Sequence, residues 1–311
     1  MTMTAMNQKI ACPDWEALFA SSVYFDEPGA SHTSMGVGGK IDMLLYPKSI
    51  CDLGEMLRLL HRHGIPYVVV GNWTNLIITD KGCRGALICT KDLYQISILP
   101  QKGGIREVHA EAGVPLSELV AFIVRENLTG FEFCAGIPGS VGGAIRMNAG
   151  AYGHSISESV ASVTLMDAMG QTETRGIGQL RFEYRNFYLP EGMLIVEAAF
   201  RFRDDPEDQV GDKVRRIIEE RRRKHPLQYK NAGSIFKNPP DRPAGRLIEE
   251  VGLKGFAIGD AMVSEKHGNF IVNRGQATAG DILALIHYVQ ERVLREKGTA
   301  LELEVKIVGE R

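Results

Sequence analysis

Residues 136–153 read GIPGSVGGAIRMNAGAYG, and six of these eighteen residues are glycine. Glycine loses more backbone freedom on folding than any other residue, so such density persists where backbone must approach something closely. A packing corner between a helix and a strand needs only one or two glycines. A flat ligand lying along exposed peptide groups accounts for more of them, and the segment therefore predicts a ligand-binding element.

The flanking elements follow from periodicity. Ile50, Leu53, Met56, Leu57 and Leu60 recur at helical spacing and Gly64 supplies a C-cap. PYVVVG then reads as a short buried strand stopping at glycine, which brings GNWTNLI (71–77) to the carboxyl end of a strand, where α/β units bind ligands. Alone, G-x-x-[ST]-N is better read as a plain turn. After a strand, Gly71 and the following amides suit an anion nest, with Thr74 and Asn75 offering donors to a pyrophosphate.

GALICT, EVHAEAG, ESVASVTLMDAMG and GMLIVEAAFRF read as short strands, interrupted by one helix from Leu116 to Arg125. Beyond RDDPED a charged helix runs to about Lys224, a composition shift that marks a domain boundary. The last third holds RLIEEVGL as a short helix, NFIVN as a strand, and a long helix from Asp281, capped by Thr278 and closed by Gly298. ALELEVKIVGER reads as an alternating strand, with Leu301, Leu303 and Val305 on one face and Glu302, Glu304 and Lys306 on the other. A chain of 311 residues exceeds what one core usually supports, so two or three domains are expected.

Charge and composition exclude several classes. With 36 Lys and Arg against 38 Asp and Glu, no global field gathers nucleic acid or an anionic membrane. The basic run RRIIEERRRKHP is broken by Glu219 and Glu220 and lacks interleaved aromatics, which makes it a solvated helix face. The first twenty residues hold no signal-like apolar run and nothing later nears membrane-spanning length, so a cytoplasmic chain without nucleic-acid or membrane partners is expected. Cys12, Cys51, Cys83, Cys89 and Cys134 form no C-x-x-C pair and read as small buried hydrophobes. The eight histidines lack metal-ligand spacing and any serine-base pattern, so no metal site and no hydrolytic triad are expected. GVGGK follows no strand and no G-x-G-x-x-G opens a helix, which removes a dinucleotide fold.

Three residues stay ambiguous on this reading. Arg185, among the aromatics of FEYRNFY, is either a stacked structural cation or a fork aimed at a carboxylate. Ser234 sits in NAGSIFKNP with no histidine within a few positions, and Glu304 is by default a solvent-facing strand residue.

In this order, GNWTNLI, GIPGSVGGAIRMNAGAYG, FEYRNFY, NAGSIFKNP and LELEVKIVGE resemble the UDP-N-acetylenolpyruvoylglucosamine reductase (UDP-N-acetylmuramate dehydrogenase) family. The likeness runs from HTSMGVGGKID at 32–42 to the C-terminus. It implies an α+β fold: a two-subdomain FAD-binding domain of the vanillyl-alcohol/para-cresol oxidoreductase type over 14–205 (subdomains about 14–70 and 71–205), then a smaller α+β substrate domain over 206–311. It also implies a monomer that uses NADPH and noncovalent FAD to reduce UDP-N-acetylglucosamine enolpyruvate in peptidoglycan precursor synthesis.

Carried over residue by residue, the resemblance assigns Gly71, Asn72, Thr74, Asn75 and Leu76 to the FAD pyrophosphate region. It assigns Ile137, Pro138, Gly139, Ser140, Gly142, Gly143 and Gly150 to the flavin. Ser234 matches the proton donor, Arg185 the cation facing the developing enediolate, and Glu304 the active-site glutamate. Tyr184, Lys237 and Asn238 match sugar-nucleotide contacts. The sequence departs from the family pattern at GNWTN, which has fewer glycines than usual, at Phe187, where serine is common, and at Leu303, where proline is usual. It also resembles the branch without the tyrosine-bearing lid loop. The alternatives are a flavin oxidase of the same fold, which leaves the NAGS motif unexplained, and a sugar-nucleotide-binding protein without flavin.

Overall fold

The computed structural model describes Trp15, Phe19, residues 22–101 and residues 103–310. The chain divides into two compact units, each assembled from separate stretches. Unit 1 takes the described residues up to Phe25, then Met43–Asn72 and Gly85–Glu219. Unit 2 takes Asp26–Asp42, Trp73–Arg84 and the described residues from Glu220 onward.

Helix α1 (Ile50–His63) forms as its periodicity predicts: the Ser49 side chain accepts from the Asp52 amide, and Gly64 closes the helix at a φ of 61°. Its buried face, Leu53, Met56, Leu57 and Leu60, packs with Met43, Leu45, Ile88 and Val196. Strands β1 (Val23–Pro28), β2 (Lys40–Leu45), β3 (Tyr67–Val70) and β5 (Cys83–Cys89) form a sheet in the order β1-β2-β5-β3, with β3 and β5 parallel. The expectation of a buried strand at β3 is corrected. It lies at the sheet edge, covered by a neighbour on one side only, and Val68 is 39% exposed.

The larger sheet of unit 1 is antiparallel. It contains β6 (Ile96–Ile98), β7 (Ile105–Glu111), β8 (Leu128–Thr129), β11 (Val160–Met166), β12 (Thr172–Gly176) and β15 (Leu194–Asp204), in the order β12-β11-β15-β7-β6 with β8 also on β15. Helix α2 (Leu116–Arg125) buries Leu116, Leu119, Val120 and Ile123 in the same core as Phe131, Phe200 and Phe202. The Phe131 ring meets the other two edge-on at 5.6 and 5.7 Å. The charged helix α4 (Val210–Lys224) starts where the Asp205 carboxylate accepts the Gln209 and Val210 amides, each at 2.7 Å.

Unit 2 is built on the antiparallel sheet β16 (Lys230–Ser234), β19 (Phe270–Asn273), β18 (Ala261–Val263) and β17 (Ala257–Ile258), in that order. Helices α5 (Ala244–Glu250) and α6 (Ala279–Lys297) share its core, which also takes Met35, Val37 and Ile77 from early in the chain. The capping box at Thr278 and Asp281 is present. Asp80 adds a second device, its carboxylate accepting the Ala279 and Gly280 amides at 2.9 and 2.7 Å.

The tail requires a correction. Only Lys306–Val308 (β20) is strand, parallel to β4 (Leu76–Ile78). The alternation survives as burial: Leu301 and Val305 are buried, while Glu302 and Lys306 are exposed. Glu304 is half-buried rather than solvent-facing, because the chain there meets Ile235–Phe236 through an isolated bridge instead of a ladder. Among the cysteines, Cys83, Cys89 and Cys134 are buried as expected; Cys51 is exposed on α1, and Cys12 lies outside the described residues. Among the described residues no helix is long and apolar enough to cross a membrane.

Candidate active site

In unit 1 the glycine-rich segment folds into helix α3 (Val141–Arg146), which sequence reading missed because Gly142 and Gly143 argue against a helix. Ser140, 1% exposed, caps it by accepting the Gly143 amide at 3.4 Å. Two glycines are explained by packing. A Cβ on Gly142 would lie 2.9 Å from the Ala112 Cβ, and one on Gly71 would lie 2.2 Å from the Ser140 Oγ. The Asn72 side-chain amide donates to the Gly139 carbonyl at 3.2 Å, so Gly71–Asn72 and Gly139–Gly143 form one structure. Gly139 itself has a φ of 148°, which side-chain-bearing residues rarely adopt. Pro138 is exposed and Ile137 half-buried beside it.

Gly143 is different. It is exposed, and the nearest atom to an added Cβ is the Ser140 Oγ at an ordinary 3.5 Å. A glycine in a helix costs about 1 kcal/mol relative to alanine, and no protein neighbour here requires it. Open backbone of this kind beside Gly142 and Ser140 fits a flat ligand such as a flavin.

The rest of the first motif belongs to unit 2. Trp73 has a φ of 57° and its ring lies 5.4 Å from that of His32. A residue other than glycine in this region costs roughly 1–2 kcal/mol, which is why glycine suits the position. Thr74 is half-buried. The Asn75 amide donates to the Glu304 carbonyl at 3.2 Å, and its own carbonyl accepts the Lys306 amide at 3.0 Å. Leu76 is buried at the start of β4.

Arg185 lies at the tip of a hairpin in unit 1 made of β13 (Phe182–Glu183) and β14 (Asn186–Phe187). With Tyr184 it forms the two-residue turn, and its φ is 54°. Such turns normally place glycine or asparagine there, so arginine in this conformation is held at a cost by its surroundings. The Arg185 guanidinium donates from Nη2 to the Gly150 carbonyl at 2.8 Å and lies 5.1 Å from the Tyr184 ring. Gly150 starts the small hairpin β9 (Gly150–Ala151) and β10 (His154–Ser155), where a Cβ would come within 2.3 Å of the His154 carbonyl. The neighbouring Glu183 carboxyl is held below the usual range by the Tyr188 hydroxyl and the Arg181 guanidinium.

Ser234 ends β16 opposite Phe270, after a break in register between Asn231 and Ser234. Gly233 takes a φ of 74° in this bulge, and its amide donates to the Asn231 side chain at 3.0 Å. A bulge with a left-handed glycine re-aims the residue beside it, here Ser234. One residue on, the Ile235 carbonyl accepts the Glu304 amide at 2.8 Å, so the backbone holds Ser234 and Glu304 on neighbouring segments of unit 2. Asn269, 3% exposed, fastens Phe236 from both sides, accepting its amide at 3.0 Å and donating to its carbonyl at 2.8 Å. Lys237 is paired with Glu302 at 3.2 Å, and the Asn238 side chain accepts the Ala244 amide at the start of α5.

Sequence reading missed Arg146, Asn148 and Asn269. Arg146 and Asn148 were within its most conspicuous segment, but glycine drew the argument and their partners lie beyond local spacing. A groove of about 830 Å³ in unit 1, lined by Glu132, Tyr152, His154, Arg203, Lys213 and Arg216 among others, includes none of the expected site residues.

Comparison with known proteins extends the geometry. Residues 41–176 match the family described as "FAD binding domain", and residues 225–308 match "UDP-N-acetylenolpyruvoylglucosamine reductase, C-terminal domain". A UDP-N-acetylenolpyruvoylglucosamine reductase of Syntrophus aciditrophicus is 47% identical over 291 residues, covering 94% of this chain and 93% of the relative. One of Pelobacter propionicus is 44% identical over 285 residues, covering 92% and 95%. The crystal structure of the Thermus caldophilus reductase superimposes with a TM-score of 0.77 at 34% identity, covering 91% of this chain and 97% of that one. With both domains matched in order and relatives aligned over nearly their whole length, the chain belongs to the UDP-N-acetylenolpyruvoylglucosamine reductase family.

Proposed function

We propose that this chain reduces the enolpyruvyl ether of UDP-N-acetylglucosamine to the lactyl ether of UDP-N-acetylmuramate, with NADPH as reductant, in peptidoglycan precursor synthesis. Gly71, Asn72, Gly139, Ser140, Gly142 and Gly143 hold FAD noncovalently. FAD held there would supply hydride transfer, from NADPH to C3 of the enolpyruvyl group. The chain works in the cytoplasm as a monomer, with 14–205 as cofactor domain and 206–311 as substrate domain.

The protein's own residues manage charge and protons. As hydride reaches C3, negative charge spreads over C2 and the adjoining carboxylate, and the fixed Arg185 guanidinium stabilises it. Ser234 donates a proton to C2; a hydroxyl is a weak acid, but a carbon anion is a base strong enough to take its proton. Glu304 orients or returns that proton, and Tyr184 and Lys237 contact the sugar nucleotide. The observation that carries this reading is the bulge at Gly233, whose φ of 74° turns the strand just before Ser234, next to the Ile235 carbonyl that accepts the Glu304 amide.

Ser234→Ala tests it, because the serine has no part in taking hydride from NADPH. Anaerobic bleaching of the bound flavin by NADPH should persist. Re-oxidation by the enolpyruvyl substrate should slow by roughly 100- to 10,000-fold, the loss typical of a general acid. Normal re-oxidation would remove Ser234 from the mechanism.

A further inference from the structure

The hairpin carrying Arg185 is short: it pairs Phe182 with Phe187 and Glu183 with Asn186, adds the Tyr188 amide donating to the Arg181 carbonyl at 2.9 Å, and stacks the Phe182 and Phe187 rings at 4.7 Å. A hairpin of this length is marginal in water, the more so with arginine in a left-handed conformation at its tip. Further support comes from the last residue of α3 and from the segment just after it. Arg146 Nη1 donates to the Asn186 side-chain oxygen at 3.0 Å and to the Phe187 carbonyl at 2.9 Å, both on the second strand. Asn148, 7% exposed and itself at a φ of 41°, donates to the Glu183 carbonyl on the first strand at 2.9 Å. The Asn148 oxygen accepts the Ser157 amide at 3.3 Å, which fixes the orientation of its own amide. Arg185 then donates to Gly150, two residues beyond Asn148.

We infer that Arg146 and Asn148 are positioning residues for Arg185, gripping one strand each of the hairpin and setting the direction of its guanidinium. The inference rests on the role proposed above for Arg185. Arg146 makes no ion pair among the described residues; its charge strengthens the two bonds that Nη1 makes, to a carbonyl and to a side-chain amide oxygen. Lysine keeps the charge but loses the rigid guanidinium plane that aims that nitrogen. Arg146 also lies one helical turn after Gly143, so the backbone proposed to carry the flavin and the cation proposed to face the substrate are set by one six-residue helix.

The test compares Arg146→Met, Arg146→Lys and Asn186→Ala, each purified with FAD. In Arg146→Met, re-oxidation by the enolpyruvyl substrate should slow roughly 10- to 100-fold, the scale of a small misplacement of a catalytic group. Flavin bleaching by NADPH and substrate affinity should change little. Arg146→Lys and Asn186→Ala, milder for folding, should fall in between. In an Arg185→Lys background, Arg146→Met should add almost nothing, since it acts through the group already altered. Amide exchange at Tyr184 and Asn186 should quicken in Arg146→Met whatever the chemistry. A lowered melting temperature with wild-type re-oxidation, or a full independent loss in the Arg185→Lys background, overturns the inference. Wild-type flavin that NADPH cannot bleach overturns the parent reading instead, and the amide exchange then judges the clamp alone.

Discussion

Gly143 separates packing from ligand binding at a single residue. Gly142 and Gly71 press against Ala112 and Ser140, so a methyl group at either has nowhere to go. Gly143 is exposed inside a helix, where a Cβ would make only an ordinary contact and alanine is the better residue. Gly143→Ala should therefore raise the stability of the flavin-free protein by about 0.5–1 kcal/mol, while weakening FAD retention. Thermal melts of flavin-free protein alongside an FAD titration check both signs; unchanged FAD affinity would detach Gly143 from the cofactor. Trp73 and Arg185 present the converse, side chains held where glycine is easier. Trp73 packs on the His32 ring, whereas Arg185 sits half-buried at a tip whose contacts are supplied from α3 onward.

The elements most legible in the sequence were those whose signals are local. Helix α1 starts and stops where Ser49 and Gly64 say it should, and α6 opens on its Thr278 capping box. Asp80 was illegible because its partners, the Ala279 and Gly280 amides, lie 199 and 200 positions away. Asp80→Ala leaves two amides at the helix start without that acceptor and removes a negative charge from the positive end of the dipole. A loss of about 1–2 kcal/mol is expected, read as a lower urea midpoint with unchanged slope; an unaltered midpoint would make the contact incidental. The tail misled for a related reason. Alternating polarity reports which side chains are covered, and Leu301 and Val305 are covered, but it does not report whether the backbone makes a ladder. For the proposed site, the motifs nominate Ser234, Arg185 and the glycines, whereas the Gly233 bulge and the contacts of Arg146 and Asn148 depend on pairings that no local pattern encodes.

At the scale of the whole molecule, stability is tied to pH through His225. Burial, then the Arg221 guanidinium, His267, Lys224 and Lys266, lower its pKa from 6.5 to about 4. Between those values the unfolded chain binds the proton that the folded chain refuses. The contribution is therefore complete above about pH 6.5, falls as pH drops toward 4, and levels off below it. Burial lowers His267 in the same direction. His225→Gln should flatten the decline in urea midpoint between pH 7 and pH 5 relative to the parent; an identical decline would assign it to the carboxylates. The pairing of β4 with β20 carries a different consequence, in time. Leu76–Ile78 leaves the ribosome about 230 residues before Lys306–Val308, its only strand partner among the described residues. At 5–20 residues per second, those three apolar residues wait about 10–45 s for their neighbour. A nascent chain that has not yet reached Lys306 therefore carries Leu76–Ile78 without that pairing, an exposure that lasts as long as the synthesis of everything between them.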